Sequence, residues 1–485
     1  MIKRIISKYN HFPITVKAVI WFTFCNMLVK GINFLASFIF TRMISKEEYG
    51  TLSLFTSYEQ IIIVLATWEI QLGAYTRGLF KYKEENLKLF TSSMLSITNI
   101  LTVVFFSISV VLNKIFTSLT GMDLYIILLL GCYVFFQPAY IGWFSRKRIN
   151  YDYKPAVIAT VIFSIINIVF PIIVLQFTER TANVKFASGL IISTVFAVIF
   201  WIQSVDYKSL ILNKNKVIEY WKFLIGFEAP LIVHSLSVYV LNQADRIMIG
   251  NMVGKEETAL YSVAYSIAFV VIILQNSLDQ VLAPWRYQQL DGKDYKKIGR
   301  ISNSLLVVYG CVIILFILIA PEIIRLCYPN EYYDGIWCIP PVTTGAFFVF
   351  LYSLFVGIET YYEKTKYVLY VSLSCGIINV ILNYFGIKHF GYIACAYTTL
   401  FSYILFAVGH FFFMKRTLRI EKIQESIYNG KSIIIISLCV ILVSIVITML
   451  YPYTIIRYLL FAIICLLIII KRNQIIGLYK VLKRK

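Results

Sequence analysis

Fourteen apolar runs, each long enough to cross a hydrocarbon layer as a helix, follow one another with no hydrophilic stretch longer than about twenty residues between them. A bilayer core of about 30 Å takes roughly twenty apolar residues at 1.5 Å per residue. The runs lie near 17–41, 51–73, 91–112, 124–145, 155–177 and 187–205. A second set lies near 223–248, 258–282, 300–320, 338–360, 367–387 and 391–414, and two more near 432–450 and 454–470. Backbone polar groups in hydrocarbon must be satisfied within their own segment. The chain therefore reads as an all-α polytopic membrane protein of about fourteen transmembrane helices. Only 14% of its residues are charged, against about 25% in a soluble domain. The short connections leave no room for an attached soluble domain. They also weigh against a membrane polymerase or ligase of sugar chains, which needs a sizeable outer loop with acidic catalytic residues. The longest candidate, 321–337 with Glu322, Arg325 and Asp334, is short and mixed in charge.

The net charge of +20 raises the question of a nucleic-acid partner, and its distribution answers it. Alternating segments on the side of the two termini hold 34 Lys and Arg, and those on the other side hold 10. Positive residues stay in the cytoplasm, so both termini are expected there, the helix count is even, and the charge is topology. No nucleic-acid partner is needed. The basic N-terminus lacks a short apolar region followed by small residues, so it reads as a retained first span. The nine cysteines are scattered, with no CxxC pair or His/Cys cluster, so neither a metal site nor a disulfide framework is expected, and no cofactor is called for.

The run at 16–43 carries a lysine near its middle. At roughly 100° per residue, Thr23, Asn26, Lys30, Asn33, Ser37 and Thr41 fall within about 80° of arc, and the other faces are Ile, Val, Phe, Leu and Trp. Such a stripe must look away from lipid. Two readings stay open: a helix contact in which Lys30 pairs with Glu59 or Glu69, or a path for something anionic.

Shifted by 209 residues, 45–77 falls on 254–286 without a gap, and ten of 33 positions are identical. Lys46-Glu47-Glu48 meets Lys255-Glu256-Glu257, Ser53 meets Ser262, Ser57 meets Ser266, Gln71 meets Gln280, and Arg77 meets Arg286. At an offset of 212, Ile165-Ile166-Asn167 meets Ile377-Ile378-Asn379. Six spans per repeat give two lobes of one orientation, related by an axis along the membrane normal, with a central cavity as in transporters. The expected division is 1–222, 223–414, and 415–485 for the last two helices and a basic cytoplasmic tail. Ser262, Ser266, Asn276 and Gln280 share one helical face, as do Ser53, Ser57, Thr67 and Gln71, either as interhelical hydrogen bonds or as cavity lining. The candidate cavity residues are Lys30, Asn26, Asn33, Glu59, Gln71, Asn276 and Gln280. Glu69, His234, Asp245 and Arg246 are candidates for coupling or gating, with Glu228 and Asn242 on the same run as the last three. Arg77 and Arg286 are candidates for contact with lipid phosphate on the cytoplasmic side.

Four stretches carry a family resemblance. They are Phe40-Thr41-Arg42-Met43-Ile44-Ser45-Lys46-Glu47-Glu48-Tyr49-Gly50, Arg146-Lys147-Arg148-Ile149-Asn150-Tyr151, Asp245-Arg246-Ile247-Met248-Ile249-Gly250 and Tyr261-Ser262-Val263-Ala264-Tyr265. The chain resembles the polysaccharide-export branch of the multidrug/oligosaccharidyl-lipid/polysaccharide exporters, the Wzx-type O-unit flippases. The resemblance implies two six-helix lobes forming a V, with two extra C-terminal helices, in the cytoplasmic membrane. It also implies a non-enzymatic flippase that moves polyprenyl-diphosphate-linked oligosaccharide from the inner to the outer leaflet for O-antigen, capsule or exopolysaccharide synthesis. Membrane lipids surround it, and a polysaccharide polymerase and glycosyltransferases are its candidate protein partners. Two alternatives remain within the superfamily. A multidrug–cation antiporter would use acids such as Glu59, Glu69 and Asp279, and a peptidoglycan-precursor flippase would do the same work on another head group.

Overall fold

The computed structural model describes residues 12–472 and Gly477; the expected basic ends in 1–11, 473–476 and 478–485 lie outside the described residues. Among the described residues the regular elements are all helical. They are α1 (Ile14–Met43), α2 (Lys46–Thr67), α3 (Gly73–Lys81), α4 (Leu87–Val111), α5 (Asn113–Thr120), α6 (Leu124–Ile149), α7 (Tyr153–Phe177), α8 (Ala182–Ser204) and α9 (Tyr207–Leu212). There follow α10 (Lys214–Met252), α11 (Lys255–Asp291), α12 (Tyr295–Cys327), a 3-10 segment (Asn330–Cys338), α13 (Ile339–Tyr361), α14 (Thr365–Phe390), α15 (Ile393–Ile420), α16 (Gly430–Met449) and α17 (Thr454–Ile470).

Twelve helices among the described residues are long and apolar enough to cross a membrane. The two remaining runs are α2, which carries Glu47, Glu48 and Glu59, and α17, which is only 17 residues long. The chain forms two compact units, Met1–Gln243 and Ala244–Lys485, and the division falls inside α10. Helix pairings recur in both. In the first unit α6 packs on α4 and α8, α7 on α8, and α2 on α4 and α6. In the second, α13 packs on α12 and α15, α14 on α15, and α11 on α12 and α13. Even a buried polar contact recurs: Asn167 donates to Ser193 Oγ at 2.8 Å, and Asn379 to Ser402 Oγ at 3.2 Å.

Local chemistry explains the element boundaries. Ser45 Oγ accepts from the Glu48 N–H at 3.3 Å and starts α2 with Glu47 and Glu48 in the first turn, where negative charge suits the helix dipole. Glu48 also accepts from the Ala182 N–H at 2.5 Å, so this motif ties the starts of α2 and α8 together. Asn86, Asp294 and Asn429 cap α4, α12 and α16 in the same manner. In the turn before α4, Glu85 accepts from Tyr220 at 2.6 Å and pairs with Lys216 at 3.1 Å, which holds its carboxyl below the ordinary range. The first unit's core gathers Tyr75, Phe90, Met94 and Tyr220, and the second unit's gathers Tyr309, Phe347, Phe350 and Ile313. Helix α17 is held to α12 by Arg457, 1% exposed, which forks onto Glu322 at 2.8 and 2.7 Å and donates to the Leu318 carbonyl at 2.7 Å.

The gapless match of 45–77 with 254–286 leads one to expect equal helices. They differ: α11 runs unbroken through all of its matched stretch after Gly254, whereas α2 stops at Thr67 and α3 begins at Gly73. Trp68 and Glu69 both take left-handed backbone, at φ 53° and 54°, which costs on the order of 1–3 kcal/mol per side-chain-bearing residue.

Candidate functional site

On α1 the polar stripe divides along its length. Ser37 and Thr41 are buried and turn back onto the Phe34 and Ser37 carbonyls at 2.6 and 2.9 Å. Asn26 and Asn33 are exposed and Lys30 is half-buried between them. Of the large exposed apolar side chains of α1, Phe24, Leu35 and Ile39 lie about half a turn away around the helix, whereas Val19 shares the face of Asn26. One open face of α1 is thus hydrocarbon-like, and another carries two amides and an ammonium.

The candidate acids differ in their surroundings. The charge acting on Glu59 is Lys185 of α8, whose ammonium also lies 4.9 Å from the Phe40 ring centroid. Glu69, at the helix break, accepts from Tyr239 at 3.0 Å. Glu228, which sequence reasoning noticed without assigning a role, fills the same break. It is 3% exposed, and its Oε2 accepts from the Ala74 N–H at 2.8 Å, capping α3. Gly73 makes that approach possible, because a Cβ there would lie 2.9 Å from Glu228 Oε2. Gln71 is packed into the break rather than set on an open helical face: it is 1% exposed and donates to Thr67 Oγ1 at 3.3 Å. Its repeat partner Gln280 is exposed, and Asn276 is half-buried. His234 is half-buried with Nδ1 unpaired.

In the second unit Asp245, 2% exposed, is the centre of a polar network. It accepts from Asn383 at 2.6 Å, from Thr399 at 2.7 Å and from the Tyr261 hydroxyl. Asn383 in turn donates to Asn379 and accepts from Thr398. One carboxylate from α10 therefore binds α11, α14 and α15 through neutral donors. Arg246 stands 4.4 Å from the Tyr265 ring centroid. The sequence marked Asp245 and two of its network, Tyr261 and Asn379, but not Asn383, Thr398 or Thr399.

The matched arginines also part company. Arg77 is exposed. Arg286 is 4% exposed, lies where a Cβ on Gly357 would be 1.8 Å from Nη2, and donates to the Ser353 and Leu354 carbonyls at 3.3 Å each. It fastens α11 to α13 and is not presented to a lipid phosphate in this structure. Asp279, two turns before it, accepts from Ser353 at 2.8 Å and from Gln275. Sequence reasoning also missed a wholly buried pair, Glu359 of α13 and His410 of α15, in contact at 3.0 Å.

Residues 15–290 match the family described as polysaccharide biosynthesis protein, and residues 230–385 match the MatE family. The chain is 23% identical to the capsular polysaccharide biosynthesis protein CapF of Staphylococcus aureus, over 81% of this chain and 97% of that one. It is 22% identical to an uncharacterised membrane protein of Methanocaldococcus jannaschii, over 87% of each. Among solved structures, it is similar to the lipid II flippase MurJ in an inward closed conformation, with TM-score 0.71, 15% identity, and coverage of 94% and 100%. It is also similar to a multidrug resistance MATE family transporter in an inward-facing conformation, with TM-score 0.63, 14% identity, and coverage of 84% and 100%.

Proposed function

The chain belongs to the polysaccharide biosynthesis protein family, in the polysaccharide-export branch of the multidrug/oligosaccharidyl-lipid/polysaccharide exporter superfamily, and from that premise we propose that it flips polyprenyl-diphosphate-linked oligosaccharide from the inner to the outer leaflet of the cytoplasmic membrane. The observation that carries the reading is the face of α1 on which the exposed Asn26 and Asn33 flank the half-buried Lys30. A diphosphate bearing sugars cannot cross hydrocarbon, whereas its polyprenyl tail can remain there. A polar face with an ammonium passes the head group while the tail stays in the bilayer. Lys binds phosphate as a point charge, without a fixed fork. With the termini in the cytoplasm, as the 34 to 10 division of basic residues favours, transport runs outward. Each negative charge then gains about 2.3 kcal/mol per 100 mV of inside-negative potential.

Coupling, in this reading, belongs to Asp245. A proton or small cation taken up there would compete with the bonds that tie α10 to three other helices, so its occupancy would bear on all four. The antiporter alternative is less well supported, since Glu69 and Asp279 are engaged by Tyr239 and Ser353, and Glu59 lies in the field of Lys185. The peptidoglycan precursor shares the diphosphate chemistry and differs in its head group. A polysaccharide polymerase and glycosyltransferases would supply and consume the cargo.

Glycan export at matched membrane levels tests the role of Lys30. Lys30→Arg keeps much of the activity, whereas Lys30→Ala and Lys30→Glu insert normally and fail to export. If Lys30 only neutralises an acid, combining Lys30→Ala with Glu59→Gln or Glu69→Gln restores export. Such rescue, or full export by Lys30→Ala alone, would sink the proposal.

A further inference from the structure

A groove of about 330 Å³ runs between α13, α15 and α16 in the second unit, and nothing in the transport reading uses it. Its walls are apolar almost throughout, with Leu351, Phe355, Ala407, Phe411 and Leu438 among them. Along α16 it extends from Gly430 to Ile441, about 16 Å at 1.5 Å per residue. That is close to half of a hydrocarbon core of about 30 Å, the depth of one leaflet.

Charge is found at one end of this slot. Lys415 is exposed, and its Nζ lies 4.5 Å from the ring centroid of the lining residue Phe411. Lys431, also exposed, follows the lining residue Gly430 at the start of α16. Gly430 brings no side chain to this mouth, where a Cβ would already stand 3.4 Å from Phe411. An apolar slot one leaflet deep, with cations confined to its rim, is complementary to a lipid whose anionic phosphate sits at the interface above a hydrocarbon chain. We propose that the groove holds an acyl chain of an anionic glycerophospholipid, from the leaflet that meets the 415–431 segment, with its phosphate against Lys415 and Lys431. A polyprenyl tail overshoots a slot of this depth. The bound chain would pack α16 onto α13 and α15, filling space that side chains leave empty.

The full-length protein is reconstituted in nanodiscs that contain phosphatidylglycerol or phosphatidylcholine with a photoactivatable acyl chain, and crosslinked positions are read by mass spectrometry. Phosphatidylglycerol should label the Ala407–Val408 and Leu438 region about 30-fold more than phosphatidylcholine, the preference expected from two lysines near an anionic interface. The double variant Lys415→Gln/Lys431→Gln, changed only at exposed positions, should bring the two lipids level. Ser437→Phe, which fills the slot and spares both lysines, should abolish labelling. Equal labelling by both lipids, or labelling unchanged in the double variant, overturns the proposal. Displacement of the phospholipid by polyprenyl diphosphate also overturns it and gives the slot to the substrate's tail. None of these readouts depends on export, so the proposal and the transport reading fail separately.

Discussion

Gly73→Ala and Glu228→Gln should each weaken the same joint in the first unit, and together they should cost less than their sum. The joint is the break between α2 and α3, where the Ala74 N–H finds its acceptor in Glu228 Oε2 at 2.8 Å. Both partners are buried, Glu228 at 3% and Ala74 at 0%. A hydrogen bond to a charged group contributes about 1.5–3 kcal/mol, so Glu228→Ala, which also leaves a cavity, should cost about 3 kcal/mol. Glu228→Gln keeps an acceptor but loses the charge assistance, roughly half of the bond, or about 1 kcal/mol. Gly73→Ala sets a Cβ 2.9 and 3.2 Å from the two carboxylate oxygens. The carboxylate must withdraw by a few tenths of an ångström, at a cost of about 1–2 kcal/mol. Since both changes act on one contact, the double variant should show a coupling of about 1 kcal/mol, within the range for touching residues. Apparent melting midpoints of the four purified proteins, measured by size-exclusion recovery in one detergent, supply the cycle. Strictly additive losses, or a Glu228→Ala protein as stable as the parent, would show that the break does not depend on this cap.

Two further outcomes follow from the geometry. Arg457→Leu should free α17 from α12 and cost about 2–3 kcal/mol, below the full range for a broken buried pair because Glu322 is 31% exposed. Adding Glu322→Leu should recover part of the loss, as apolar replacement of a buried pair often does, and protease sensitivity between α16 and α17 reports both. In a cysteine-free background, an impermeant thiol reagent should modify Asn26→Cys, Asn33→Cys and Gln280→Cys while sparing Gln71→Cys, which is 1% exposed. A reactive position 71 together with three silent ones would refute the faces assigned to α1 and α11.

The spans were legible because length and hydropathy are local properties, and they remain so in α6, α7 or α16 whatever those helices touch. The recurring helix pairings were legible through the repeat. The break at Trp68–Glu69 was not, because what stabilises it arrives from Glu228, 154 residues further along, and the gapless match to α11 argued for continuity. Singling out His234 and passing over His410 has a similar cause. Each is one histidine in an apolar run, and only packing shows that His410 meets Glu359 from another helix. Arg286 misled for a related reason: it matched Arg77 in sequence, but Gly357 on α13 gives its guanidinium a bed that exists only in three dimensions.

The repeat separates scaffold from function. Where both units keep a polar contact, as in Asn167–Ser193 and Asn379–Ser402, the contact fastens corresponding helix pairs and packing suffices to explain it. Beyond Asn379, the network around Asp245 has no such echo. At the offset of 209, Asp245 falls on Ala36 and Thr399 on Leu190, and at 212 Asn383 falls on Pro171. All three counterparts are buried, so the first unit fills these three positions with apolar side chains. A buried carboxylate with its ring of donors costs desolvation that such packing avoids. The second unit carries that cost although the fold does not require it, which is the physical reason to look for coupling at Asp245 rather than at Glu59 or Glu69. The first unit departs from the repeat in its own way, with a helix broken at two left-handed residues and capped by Glu228. Two units on one plan thus differ at a strained joint in one and the Asp245 network in the other, and mutations at these places should alter transport more than their effect on packing predicts.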